Sequence, residues 1–456
     1  MTEAILIIVA VNLALYLKTL RYKFVSDDFT VWRNPPVAKN AWHKAWLRFT
    51  GAAKYLTPAV RFLFVNKKLF IAVVKTEEVE HLLALLIHIA IGVSIYFAFG
   101  PSEVSFVAAL LYSVNPVNNQ ATIWPAGRGY ALPILCLMLA MAVPIISPLT
   151  LYFCSWYTIG FLAPLALVGS KAWYVLASMP IIWFIHSRKY RKAINLKSSM
   201  ETFDEDKKFD LNKVTVFLKT YGFYLALCLF PIRITFYHHH LQSMAGSMKD
   251  KAHSLWDKYF WIGLVGILGT IGYACYSWNP ISWALVAFLV TIAPFCNVIR
   301  ANQEIAERFT ALPNLFLMYV LALWITAYPT LITGFLVFYA IRTFYSIRMY
   351  KDEYWITEVA VFEDPHAWWA WHCRAMKRWD TQSHKEALIL WVMAKIISPR
   401  EFKVLMNIAT CLRLLKNDKE ADEHLALAEQ NMVKGQEAVS LGFIADHRKG
   451  KLPILL

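Results

Sequence analysis

Apolar runs follow one another along most of the chain, each close to the length of a membrane helix and each closed by a short polar break. They occupy residues 5–17, 82–99, 104–114, 130–146, 149–168 and 172–185, then 221–237, 260–278, 281–299, 312–328 and 331–344. This pattern predicts an all-α, polytopic membrane domain of about eleven transmembrane helices over residues 1–347. The run at 104–114 is short for a span and is expected to extend into the loop after it. The polar stretch 21–80 carries Trp32, Trp42, Trp46 and a Pro35-Pro36 break, and its amphipathic piece 41–49 is expected to lie at the membrane interface.

Past residue 348 the pattern changes to helical spacing among charged residues. Asp364-Pro365 and Ser398-Pro399 stand 34 residues apart, the period of tetratricopeptide repeats. Ala375, Ala387, Leu388 and Trp391 sit where paired helices need small and large packing residues. Ala409, Leu412, Ala421, Leu425 and Ala428 repeat the arrangement. Residues 348–456 are therefore read as a short TPR-like helical domain of two repeats with a capping tail at 435–456. Two repeats are marginal alone, so this domain is expected to lean on the membrane domain.

Orientation follows from the break at 186–219, which opens with Arg188-Lys189-Tyr190-Arg191-Lys192 and so belongs in the cytoplasm. Counting spans from there puts the N-terminus in the cytoplasm. The loops 21–80, 238–259 and 300–311 and the TPR-like domain fall on the far side. The stretch 21–80 is itself basic, against the rule, but long loops obey it poorly.

Composition agrees with a membrane protein: 58% of the residues are hydrophobic, 15% aromatic and 17% charged, where soluble domains carry about a quarter charged. The net charge of +15 would suggest nucleic acid in a soluble chain. Here the basic residues flank apolar runs, so anionic lipid headgroups account for them and no nucleic-acid partner is expected. Anionic substrates such as lipid phosphates are a second use. No glycine-rich phosphate loop, zinc spacing or dinucleotide fingerprint is present, so neither cofactor nor metal is expected. The seven cysteines are scattered and form no disulfide framework. The N-terminus lacks a basic leader and a cleavage site, and reads as an uncleaved helix.

Candidate chemistry gathers on the far side. Asp27-Asp28 falls just past the first run; adjacent carboxylates repel, and keeping both near lipid implies a use for the charge or a cation beside it. Three further clusters are Tyr55 to Arg61, Asn115 to Gln120 followed by Trp124 and Gly127-Arg128, and Ser170-Lys171 with Glu304, Glu307 and Arg308. Carboxylates with several cations at one membrane face suit a lipid-phosphate-dependent transferase. A carboxylate deprotonates the incoming hydroxyl, and cations stabilise the phosphate that leaves. His81 and His88, seven apart, share one helix face and are read as polar packing residues. The run His238-His239-His240 is read as interfacial.

In their order along the chain, these pieces resemble the transmembrane and TPR-containing O-mannosyltransferases, a family of the GT-C glycosyltransferase class. The matching segments are Phe24 to Asp28, Tyr55 to Arg61, His81 to His88, Asn115-Pro116-Val117, Gly127-Arg128, Ser170-Lys171 and Glu304 to Pro313. The family usually has His-Pro-x-His-Thr-Glu where this chain has Asn115-Pro116-Val117-Asn118-Asn119-Gln120. It also carries an acidic residue where Tyr130 stands, a Lys-Glu pair at Lys171-Ala172, and many more repeats.

The resemblance implies a GT-C fold and inverting transfer of a sugar from a polyprenyl-phosphate donor, with no nucleotide sugar. Asp27 or Asp28 would be the general base. Arg61, Arg128, Lys171 and Arg308 would hold the donor phosphate. Glu304 or Glu307 would fix an arginine, and Tyr55 and His81 would support the site. The acceptor would be a hydroxyl of a protein or glycan, presented by the TPR-like domain. The implied location is a bacterial inner membrane with the site facing the periplasm, or alternatively the endoplasmic reticulum facing the lumen. The competing expectation is a non-enzymatic lipid flippase or transporter with a TPR docking domain, which calls for ionisable residues at mid-membrane depth.

Overall fold

The computed structural model describes residues 1–25, 76–143, 211–236, 238, 258–296, 305–432, 437–448 and 450–451. Among these, all regular structure is helical, with sixteen α-helices and no strand. The described residues fall into two compact units. One lies within Met1–Lys189, Val216–Ile234 and Leu255–Glu353, the other within Tyr190–Thr215, Thr235–Ser254 and Tyr354–Leu456.

The first unit contains α1 (Thr2–Tyr16), α2 (Thr76–Ala98), α3 (Glu103–Val114), α4 (Asn119–Thr122) and α5 (Arg128–Ala142). It also holds most of α6 (Leu211–Leu229), then α7 (Lys258–Tyr276), α8 (Pro280–Ile292), α9 (Ala311–Ile325) and α10 (Pro329–Ser346). Five stretches are long and apolar enough to cross a membrane: Thr2–Arg21, Glu77–Ala98, Lys258–Tyr276, Glu307–Ile325 and Pro329–Tyr350. Shorter apolar helices cover Glu103–Val114, Arg128–Ala142, Val214–Leu229 and Pro280–Phe295. By length and composition this is a multi-pass membrane protein. Each of these helices overlaps an expected run; those expected at 149–168 and 172–185 lie outside the described residues.

Two boundaries differ from expectation. α2 begins at Thr76, ahead of the apolar run, with Glu77 and Glu78 in its first turn where the helix dipole favours acids. Glu80 is therefore helical, not part of the preceding loop. α3 does not extend past Val114. Asn115 precedes a proline, which pushes its backbone to φ −73° and ψ 121° and ends the helix. α3 starts on a capping box between Ser102 and Ser105 and is buried along nearly its whole length. It packs against α1, α2, α9 and α10, as a helix apolar on all sides should. Lipid contact falls to helices such as α7, which exposes Trp261, Val265, Leu268 and Ile271.

α6 and α7 cross on glycine. A Cβ on Gly222 would lie 2.0 Å from the Tyr259 carbonyl oxygen, and one on Gly263 would lie 1.9 Å from that of Leu218. Only glycine at both positions permits this backbone approach, the device by which membrane helices gain packing without a hydrophobic driving force.

The second unit holds α11 (Glu353–Glu363), α12 (Trp368–Asp380), α13 (His384–Ile397), α14 (Phe402–Leu414), α15 (Asp418–Gln430) and α16 (Glu437–Arg448). α12 with α13 and α14 with α15 form two hairpins whose helices start 34 residues apart. The turns match as well. Gln382 and Lys416, again 34 apart, have φ of 59° and 62°. Ser383 and Asn417 then donate backward to the Arg378 and Leu412 carbonyls at 3.0 and 2.8 Å, the closing bonds of a Schellman motif. Ala375, Ala387 and Ala394 recur as Ala409, Ala421 and Ala428, all fully buried. Trp391 fills the first core, and Leu425 with Ile444 of α16 the second.

Glu401 precedes α14 and is buried there without a side-chain cap bond. Burial pushes its carboxyl up to about 7, against the opposing pull of Lys403.

Two predictions follow from this packing. Gly263→Val separates α6 from α7 and lowers the thermal midpoint of the full chain in detergent. Gly269→Ala, on the same helix with open space at its Cβ, does not. For Glu401, the folded state keeps its proton to about pH 7 while the unfolded state loses it near 4.3. Stability of the repeat unit from this group is therefore greatest below that lower value and falls as pH rises toward 7, by about 3 kcal/mol in all. Hydrogen exchange of the α14 amides should show Glu401→Gln removing that fall.

Candidate functional site

After α3 the chain stays inside the first unit but stops being a regular helix. A 3-10 turn at Pro116–Asn118, the single turn α4 and a second 3-10 turn at Pro125–Gly127 carry it to Arg128, where α5 begins. Residues 111–125 are all buried. Irregular backbone among apolar helices must have its polar groups satisfied by protein, and here side chains from distant segments do so.

Tyr16 of α1 donates to the Ser113 carbonyl at 3.2 Å and to Asn119 Oδ1 at 3.0 Å. His88 Nε2 meets the same carbonyl at 3.1 Å, which makes it the protonated nitrogen, and its Nδ1 lies 3.1 Å from the Thr122 hydroxyl, which donates to the Asn118 carbonyl at 2.8 Å. His81 Nδ1 donates to the Ile123 carbonyl at 3.0 Å. Thr343 of α10 donates to the Val114 carbonyl at 2.7 Å. The amides of the stretch also reach outward. Asn115 Nδ2 donates to the Cys228 carbonyl at 2.9 Å, and Asn119 Nδ2 to Ser346 Oγ at 2.6 Å. Asn118 Oδ1 accepts from Asn314 at 3.3 Å.

Charge collects around this break. Arg128 is fully buried; its Nη2 pairs with Glu80 on α2 and its Nε donates to the Pro125 carbonyl at 3.1 Å. Its Nη1 makes no hydrogen bond. Gly127 permits the turn before it, since a Cβ there would sit 2.2 Å from the Gln120 carbonyl oxygen. Glu307 and Arg308 lie in a 3-10 turn, Glu307–Thr310, leading into α9. The Arg308 amide donates to Gln120 Oε1 at 2.9 Å. Its guanidinium carbon stands 5.6 Å from the Trp124 ring, 5.6 Å from Tyr130 and 5.0 Å from Phe309. Phe295 stacks on Phe309 at 4.7 Å. Arg308 retains 8% exposure, where Arg128 has none. Trp124 Nε1 donates to the Val25 carbonyl at 3.2 Å, and Val25 precedes Asp27 by two residues in the chain.

The structure thus brings together three groups expected from the sequence: His81, the stretch from Asn115 to Arg128, and Glu307 with Arg308. Asp27, Asp28, Tyr55, Arg61, Lys171 and Glu304 lie outside the described residues. Glu80, the carboxylate holding Arg128, is a residue the sequence reading passed over, as are Tyr16, Thr122, Asn314 and Ser346. The available signal was their polarity inside or at the margin of apolar runs. His81 and His88 do share one face of α2, both turned to the break. Among the described residues no three His, Cys, Asp or Glu side chains gather as a metal site would need.

Comparison with protein-family models, curated proteins and solved structures finds no match to this chain.

The buried pair sets a measurable cost. Arg128→Leu removes the buried cation that the Glu80 carboxylate faces and should destabilise the chain by about 3–5 kcal/mol. Glu80→Leu combined with Arg128→Leu should cost clearly less than the sum of the single changes, read as midpoints of denaturation from mixed micelles. Simple additivity would show that the two side chains are not coupled.

Proposed function

We propose that the chain is a membrane glycosyltransferase that moves a sugar from a polyprenyl-phosphate donor to a hydroxyl acceptor, a Ser or Thr of a protein. The carrying observation is convergence. Three segments far apart in sequence, at His81, at Asn115 to Arg128 and at Glu307-Arg308, meet around one buried break at the ends of apolar helices, and they are among the segments whose order resembles the O-mannosyltransferase family. An arginine held among aromatic rings beside that break suits a phosphate leaving group, because charge on the phosphate grows as the glycosidic bond breaks. On this reading Arg308 meets the phosphate with Arg61 and Lys171. Arg128, taken up by Glu80, shapes the site and contributes the field of its free Nη1. Asp27 or Asp28 takes the acceptor proton, and the TPR-like unit presents the acceptor. The site faces the periplasm of a bacterial inner membrane, or the endoplasmic reticulum lumen.

Lipid transport is the second reading, and one observation favours it: His88 lies midway along α2, buried among helices, where an ionisable residue marks a transport path by default. Its hydrogen bonds to Ser113 and Thr122 assign it to packing on the first reading.

Full-length protein in nanodiscs, supplied with a panel of labelled polyprenyl-phosphate sugars and a Ser/Thr-rich peptide, separates the two. Transfer is expected with at least one donor. Asp27→Asn or Asp28→Asn should lower it by about 10²-fold or more, the scale of a lost general base. Arg308→Ala should raise the apparent KM for the donor and also lower kcat. Lipid scrambling with no transfer from any donor would establish transport instead.

A further inference from the structure

The first unit carries a second cationic feature, apart from the buried break, where α1 and α10 end side by side. Lys18 lies in the 3-10 turn Leu17–Arg21 that follows α1, and Arg348 in the turn Ile347–Tyr350 that follows α10. Both cations approach one ring. Lys18 Nζ stands 3.5 Å from the centroid of Phe344, and the Arg348 guanidinium carbon 5.8 Å from the same centroid and 5.3 Å from that of Tyr345. The two charges are thus no further apart than the sum of their distances to the shared ring. Arg21, Lys23 and Lys351 are exposed nearby, with the Lys23 amide donating to the Lys351 carbonyl at 3.0 Å.

Two features make this more than a pair of interfacial side chains. Among the described residues neither Lys18 nor Arg348 takes part in an ion pair, so like charges are held together with no carboxylate between them. Aromatic faces attract each cation but do not neutralise either. Both rings also remain open, Phe344 at 45% and Tyr345 at 54% exposure. They stand at the end of Pro329–Tyr350, long and apolar enough to span a bilayer. Helix ends of that length fall at headgroup depth, where aromatic rings collect and phosphates lie.

We propose that Lys18 and Arg348, seated on Phe344 and Tyr345, bind the phosphate of an anionic bilayer phospholipid, with Arg21 and Lys23 adding to the local field. The phosphate bridges the two cations and relieves their repulsion, while the acyl chains lie along the exposed apolar faces of α1 and α10. The site depends on these side chains and on the bilayer, and not on which reaction the buried break performs. It also gives a use to cations at the end of the first helix, where the orientation read from Arg188 to Lys192 would leave them opposing the positive-inside rule.

The test uses the full chain purified into detergent, exchanged with phosphatidylglycerol or phosphatidylcholine, and examined by native mass spectrometry for retained lipid. Phosphatidylglycerol should be retained at least tenfold better. Lys18→Gln combined with Arg348→Gln should remove most of that preference without changing the thermal midpoint in neutral lipid. Lys18→Arg combined with Arg348→Lys should keep it. Should the neutral double variant fail to fold, Phe344→Leu, which keeps both cations and removes their platform, should still reduce retention. Equal retention of the two lipids overturns the proposal, as does a preference that survives in the folded double variant. A polyprenyl phosphate that binds where phosphatidylglycerol cannot compete overturns it too, and assigns the cations to the donor's path.

Discussion

Backbone that leaves the helix inside an apolar surrounding has no water to turn to, and between Val114 and Arg128 this chain does leave it. The carbonyls of Val114, Ser113, Ile123 and Pro125 are met by Thr343, by Tyr16 with His88, by His81 and by Arg128. Asn115 and Gln120 in turn hold the ends of other segments through the Cys228 carbonyl and the Arg308 amide. Each bond is modest alone, about 0.5–1.5 kcal/mol net. Leaving a group unmet costs more. The break is therefore a requirement that α1, α2, α5, α6, α9 and α10 satisfy jointly, and their placement around it follows from that demand.

The amides of Asn115, Asn118, Asn119 and Gln120 take on a particular weight here. An amide donates and accepts at once, so four within six residues can fasten several helices without importing charge. Charge enters in two places and is handled differently in each. Arg128 faces Glu80 in full burial, an arrangement that secures geometry more than it adds stability. Arg308 is surrounded by the rings of Trp124, Tyr130 and Phe309.

The helices themselves were plain in the sequence, because a helix in lipid must satisfy its own backbone and so writes itself as an unbroken apolar run. The repeat unit was plain for another reason: Ala375 and Ala409, or Trp391 and Leu425, occupy equivalent places in equivalent hairpins, and equivalence leaves a fixed period. What did not show was partnership. Nothing local marks Glu80 as the mate of Arg128, 48 residues away, and it was counted with the loop because the apolar run starts after it. Nor did spacing reveal that Asn115 to Gln120 would spend their polarity on carbonyls and amides of neighbouring segments. Such pairings depend on which helix ends meet, a property of the assembled bundle and not of any one stretch.

The two hairpins of the second unit have a consequence of a different kind. Their helices, buried alanines and left-handed turn residues all coincide after a shift of 34 positions, so the second hairpin offers the next segment the same face that the first offers it. Here α16 occupies that face. The unit behaves like a staircase closed by a landing, and its length is quantised. An insertion or loss of one whole pair of helices preserves every contact but the last, whereas one of any other size would put alanines opposite alanines of the wrong turn.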